Sequence, residues 1–176
     1  LIERVIEALG SFQSDIVITT SRNQFLPEFT WGPRVKTITD IYPDAGPLGG
    51  IYTGLISSDS FYNLVVACDM PFLSQSLLNH MVESAAGFDV VVPRLEDDKV
   101  EPLHSVYSRG CLPSIKRHLE MGDRNIVSFF PEVRLRYTEA VEIDRFDPEH
   151  LSFFNINTEA DLARARELVK TTLNLT

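Results

Sequence analysis

Asp69 follows the apolar run Leu64-Val65-Val66-Ala67-Cys68 and precedes Met70-Pro71, so a carboxylate stands where a buried strand must end. A charge in such a place has to be solvated, capped or paired with a cation, because an unpaired one shifts its pKa and neutralises. Asp40 occupies a similar point after Val35-Lys36-Thr37-Ile38-Thr39. Two aspartates closing neighbouring strands suit Mg²⁺, which takes a couple of carboxylates together with water and substrate phosphate oxygens. The plain alternative is that Asp69 caps the turn or helix after it, as aspartate commonly does.

Between the two aspartates lies Ala45-Gly46-Pro47-Leu48-Gly49-Gly50. Its glycines would let backbone approach a base or ribose, with the N-terminus of the next helix close by. Equally, these are ordinary turn residues. No Lys-Ser or Lys-Thr follows and no GxGxxG is present, so neither phosphate-binding fingerprint is met. Asn155 and Asn157 lie two apart, and on a strand both amides would share a face and could bond a polar heterocycle through donor and acceptor pairs. They also read as turn formers ahead of a capped helix. Glu101 and His104, in Glu-Pro-Leu-His, bring a carboxylate and an imidazole to the same region, where a lone histidine is more often structural or exposed than catalytic. His80, His118 and His150 have no spacing that fits a zinc site or a Ser-His-Asp triad.

These residues need elements to hold them. Ile2, Val5, Ile6 and Leu9 fall at helical spacing, and Gly10 suits the left-handed residue that closes a helix. That helix has no capping Ser, Thr, Asp or Asn before it and no initiator Met, so the sequence is expected to begin inside a larger chain. Strands are predicted at residues 15–20, 35–39, 63–68 and 89–93, with Ser21-Arg22-Asn23 as loop. Helices are predicted at residues 51–56 and 77–85. The run at 63–68 is continuous enough for a strand buried on both faces of a parallel sheet. Beyond it the alternation loosens. Residues 102–108 read as a strand, 112–121 and 125–130 as helices, 133–143 as extended chain and 152–157 as a last strand, and this half is expected to pair partly antiparallel. Thr158 is placed to cap a final amphipathic helix carrying Leu162, Ala165, Leu168 and Val169. Strands alternating with helices predict an α/β fold, a three-layer, doubly wound, mostly parallel sheet of Rossmann-like type, in one domain over residues 1–176.

Composition narrows the partners. With 176 residues, 44% of them apolar, the chain can bury a real core. A net charge of −9 argues against nucleic acid or an anionic membrane as partner, while a small anion held through a metal stays compatible. No apolar run is long enough to span a bilayer and no signal segment opens the sequence, so a cytoplasmic protein is expected. Cys68 and Cys111 read as two reduced thiols.

Taken in order, Asp40, GPLGGIYTGL, VVACDMPFL, EPLHSVYSRGCLPSI and FFNINTEADL closely resemble the molybdenum cofactor guanylyltransferases, the MobA family, over nearly the whole chain. The resemblance implies a nucleotide-diphosphosugar-transferase-like fold and transfer of GMP from Mg-GTP to the phosphate of molybdenum-carrying molybdopterin, with pyrophosphate released. By that match Asp69 would be catalytic, ligating Mg²⁺ and touching the GTP phosphates, and Asp40 would belong to the nucleotide site. Gly46, Pro47, Leu48, Gly49 and Gly50 would line the guanosine, and Asn155 and Asn157 would lie on the pterin side. Proteins of molybdenum-cofactor assembly would be further partners. Thr19, Thr20 and Ser21 replace the polar residues, often Asn, that follow the first strand in the family, and Gly49 replaces the usual Ala. The family's LAGGxSxRMGxDK-type loop, which lies upstream of a helix like LIERVIEAL, is not in this sequence, and without it GTP should bind poorly. A molybdopterin cytidylyltransferase or another nucleotidyltransferase of this fold, and a non-catalytic pterin-binding assembly protein, are the competing readings.

Overall fold

The computed structural model describes residues 1–21 and 34–173, and side chains as far as residue 170. Helix α1 (Ile2–Leu9) leads into strands β1 (Ile16–Thr20) and β2 (Val35–Thr39), then helix α2 (Gly46–Ser57) and strand β3 (Tyr62–Val66). Helix α3 (Gln75–Glu83), strands β4 (Val90–Arg94) and β5 (His104–Ser108), and helix α4 (Leu112–Glu120) follow. Strand β6 (Leu135–Glu139) runs directly into helix α5 (Ala140–Phe146), and α6 (Glu159–Leu173) comes last. The expected loop at Ser21-Arg22-Asn23 lies outside the described residues from Arg22 on.

β1 and β2 pair in parallel, and the other four strands form a sheet in the order β3-β5-β4-β6. There β5 runs antiparallel to both neighbours while β4 and β6 are parallel. Because successive side chains on a strand point to opposite faces, Val90 and Val92 face one layer and Val91 the other. The first layer joins them to Leu48, Ile51 and Leu55 of α2 and to Ile115 of α4. The second joins Val91 and Val106 to Leu77 and Met81 of α3 and to Ile143 of α5. Helices thus cover both faces, the three-layer α/β arrangement expected from the alternation. A further cluster seats Val5 of α1 against Met70, Leu73 and Leu78, which ties α1 to the chain just beyond β3.

Several local expectations give way to tertiary demands. Gly10 is right-handed at φ −58°, and Gln13 at φ 52° takes the left-handed turn after a short 3₁₀ extension. β3 ends at Val66 and is half-buried along its length, as an antiparallel partner of β5 rather than a doubly buried parallel strand. The Gly-Pro-Leu-Gly-Gly segment is no open loop but the first turn of α2, with proline tolerated there because its missing N–H would be unbonded anyway. Residues 140–146 are helical, held by a capping box in which Glu139 and Glu142 satisfy each other's backbone amides. Residues 152–157 are not a strand, since they leave a 3₁₀ turn (Leu151–Phe153) and bond to scattered partners instead of a ladder. The cap on α6 forms as expected: Thr158 Oγ1 accepts from the Asp161 N–H at 3.1 Å while the Asp161 carboxylate accepts from the Thr158 N–H at 2.9 Å.

Candidate functional site

The two aspartates end up in different surroundings. Asp40 follows β2, and its Oδ1 accepts the Thr53 hydroxyl at 2.7 Å and the Tyr42 N–H at 2.9 Å. Thr53 is fully buried in α2, and its hydroxyl also accepts from the Ile41 N–H at 3.1 Å. The second carboxylate oxygen lies against α2, where a Cβ added to Gly49 would sit 2.8 Å from Asp40 Oδ2 and 3.0 Å from the Tyr42 carbonyl. Asp40 therefore fastens the chain after β2 onto the start of α2. Gly50 lets the same turn close on β1, since a Cβ there would meet Thr19 Oγ1 at 3.2 Å. Gly46 has φ 64°, a left-handed value that costs glycine little. Gly46 and Pro47 are exposed, whereas Leu48 is fully buried in the core, so its side chain serves packing. Thr53 escaped the sequence reading, since it lies beside Tyr52 in a largely apolar helix and no motif marks it.

Asp69 has no such saturation. It stands in the turn after β3 and is half-buried, and its carboxylate makes no hydrogen bond or ion pair among the described residues. Its backbone is firmly placed. The Ala67 N–H donates to the Leu103 carbonyl at 2.9 Å, the Asp69 carbonyl accepts from the Ile156 N–H at 3.0 Å, and Met70 is buried against α1 and α3. A carboxylate fixed by its backbone and left without a partner suits a bound cation. Among the described residues no group of three His, Cys, Asp or Glu side chains is placed to hold a metal.

The bond from Ile156 carries Asn155 and Asn157 to the Asp69 turn. They are not paired on one pleated face, as a strand would have placed them. Asn157 is exposed, with its N–H donating to Asp161 Oδ2 at 3.2 Å, whereas Asn155 Oδ1 is buried without a donor among the described residues. No hydrogen bond joins this group to Asp40 and its partners among the described residues, so Asp69 and the two asparagines form one cluster and Asp40 with α2 another.

Glu101 and His104 are both buried. Glu101 is compensated by Lys99, whose Nζ lies 2.5 Å from Oε1. Neither ring nitrogen of His104 has a partner, and its ring packs at a tilt on Phe153 with centroids 5.0 Å apart. Burial pushes its pKa down to about 4, so the imidazole is neutral at ordinary pH. Asp89 braces the other end of the sheet, taking Nε of Arg134 at 2.9 Å and the Ser108 hydroxyl at 3.0 Å. Its hydrogen bond with Arg134 dominates and holds its pKa to about 2. Cys111 is buried, with its thiol pushed up to about 12 by desolvation, and Cys68 is exposed, both as free thiols.

A mixed sheet covered by helices on both faces is the architecture of nucleotidyltransferases of the nucleotide-diphosphosugar-transferase-like fold, in which ligands bind past the strands' carboxyl ends. The comparisons agree. The sequence matches the model of the MobA-like NTP transferase domain over residues 1–136, and the chain belongs to that family. It is 35% identical over 171 residues to the molybdenum cofactor guanylyltransferase of Desulfosudis oleivorans, covering 97% of this chain and 82% of that protein. It is 35% identical over 136 residues to a protein of Pelotomaculum thermopropionicum named probable molybdenum cofactor guanylyltransferase, covering 77% of this chain and 66% of that one. In structure it superposes on molybdopterin-guanine dinucleotide biosynthesis protein A of Archaeoglobus fulgidus with a TM-score of 0.81 at 28% identity, over 97% of this chain and 85% of the other. No helix among the described residues is long and apolar enough to cross a membrane.

Proposed function

We propose that this chain is the transferase domain of a molybdenum cofactor guanylyltransferase, which moves GMP from GTP to the terminal phosphate of molybdenum-carrying molybdopterin. A phosphate oxygen of the pterin attacks the α-phosphorus of GTP in line, the bond to the bridging oxygen breaks, and pyrophosphate leaves with that oxygen. No covalent intermediate on the protein is required. The observation that carries this reading is the Asp69 carboxylate, without a partner among the described residues, on a residue whose backbone carbonyl is bonded to the segment bearing Asn155 and Asn157. On this reading the carboxylate would be the cation ligand and the two amides would meet a polar heterocycle. Guanylyltransferases at 35% identity supply the substrate classes.

Asp69 would hold Mg²⁺, which when bound neutralises charge developing on phosphate oxygens. The chain's own residues bind and orient. The first turn of α2, with Gly46 and Pro47 exposed and Gly49 and Gly50 leaving room for backbone, forms the guanosine side, and Asp40 keeps that turn in place. Asn155 and Asn157 meet the pterin. Such a protein works mainly by positioning its two substrates. The test is to give the full-length protein GTP or CTP with Mg²⁺ and molybdopterin and to identify the dinucleotide by mass. The guanine dinucleotide is expected, with CTP a poor donor. A cytosine dinucleotide, or pterin binding with no transfer from either nucleotide, would overturn the reading.

A further inference from the structure

The segment 151–157 meets the chain around the Asp69 turn at two polar anchors. One is the Ile156 N–H on the Asp69 carbonyl. The other centres on Ser152, which is fully buried: its hydroxyl accepts the Ser74 N–H at 2.8 Å and donates, at a longer 3.5 Å, to the Phe72 carbonyl. The Ser152 N–H donates in turn to the buried carboxylate of Asp147 at 2.9 Å. Between the anchors the Phe153 and Phe154 N–H groups bond back to the His150 and Leu151 carbonyls, Phe153 packs on His104, and Phe154 packs on Phe72, ring centroids 5.9 Å apart, with the Arg164 guanidinium over its ring. Asn155 Oδ1 in this stretch has no donor among the described residues. The amide's place relative to Asp69 is therefore set by the anchors and not by its own bonds.

We propose that Ser152 is a positioning residue of the transfer reaction, clamping the segment that presents the acceptor-side asparagines to the turn that presents the metal-side aspartate. This rests on the functional reading above. Its hydroxyl is fully buried and bonds to backbone of the Phe72–Ser74 stretch, so it acts through the segment it holds. A buried hydroxyl that bridges two loops converts a loose pair of binding surfaces into one of fixed separation, and misplacement by a fraction of an ångström is felt in an in-line displacement.

The experiment compares the full chain with Ser152→Ala and Ser152→Thr. It measures kcat, the KM for molybdopterin, the KM for GTP and thermal unfolding. Ser152→Ala should raise the pterin KM by about fivefold to tenfold while the GTP KM stays within about twofold, and Ser152→Thr, which keeps the hydroxyl, should restore the pterin KM. A merely structural role would lower the melting midpoint and the active fraction with both KM values unmoved, and that result overturns the clamp. Unchanged kinetics in Ser152→Ala overturn it too. If Ser152→Ala melts below the assay temperature, Ser152→Cys, which keeps the volume and weakens the bonds, is judged by the same criterion. Absence of GMP transfer by the unmodified full-length protein overturns the functional reading itself, which separates the two failures.

Discussion

Asp40 and Asp69 come from similar sequence contexts, each just past a predicted strand, yet the fold uses them differently. One oxygen of Asp40 is bonded by Thr53 and Tyr42 and the other lies against Gly49, so the side chain joins β2 to α2. Asp69 is joined to its neighbours by backbone alone, through Ala67 and Ile156, and its carboxylate is left without a protein partner among the described residues. A carboxylate that the fold itself bonds supports; one held in place by bonds it does not itself make is available to a ligand. Burial does not separate the two, since both are half-buried. The hydrogen-bond inventory does.

The widest gap between them should appear on neutralising each. Asp69→Asn is expected to lower kcat by about 10²–10³-fold, the scale for losing one charge-stabilising group at a reacting centre. Its melting midpoint should barely move, because no bond of the folded chain is lost; retained turnover in a GMP-transfer assay would erase the distinction. Asp40→Ala should do the reverse and destabilise by about 1–3 kcal/mol, since the Thr53 hydroxyl and the Tyr42 N–H lose their acceptor, a loss visible in urea or thermal unfolding. Thr53→Val, nearly isosteric, isolates one arm of the same brace. It should cost about 1 kcal/mol, because Asp40 keeps the Tyr42 bond and the exposed Ile41 can turn its N–H to water.

The smallest effect at neutral pH concerns His104, beneath the segment that faces Asp69. Its folded pKa of about 4 lies below the unfolded value of about 6.5, so the unfolded chain binds more protons in that window. The stability tied to the neutral imidazole is fully present above pH about 6.5 and is lost as pH falls towards 4. His104→Leu removes the titration and the two unbonded ring nitrogens, so its unfolding free energy should decline less steeply than that of the parent between those pH values. Equal slopes in denaturant titrations across the window would show that His104 is not buried neutral.

Much of the architecture was visible in patterning. The strand patterns of β1, β2, β3 and β4, the helical spacing in α1 and the Thr158 cap of α6 are local signals, and the structure contains each of those elements. The extended chain expected over 133–143 contains β6, but residues 140–143 turn helical through a capping box between Glu139 and Glu142, a local signal that the extended reading overlooks. Residues 152–157 misled because their backbone depends on a distant partner, Ile156 finding the Asp69 carbonyl far along the chain. Ser152, Thr53 and Asp147 carried no motif at all, since a serine inside an apolar stretch is unremarkable until its hydroxyl is seen bridging two loops.

Side-chain order alone determined the layered α/β class, the sites where strands must stop, and the presence of a carboxylate just beyond one of them, because periodicity and turn chemistry act over a few residues. Tertiary structure decided which aspartate the fold bonds to itself and which it leaves, among the described residues, without a partner, and which asparagine oxygen it buries without a donor there. Those outcomes depend on groups brought together from far apart in the chain, and no local pattern encodes which partner a buried polar atom will find.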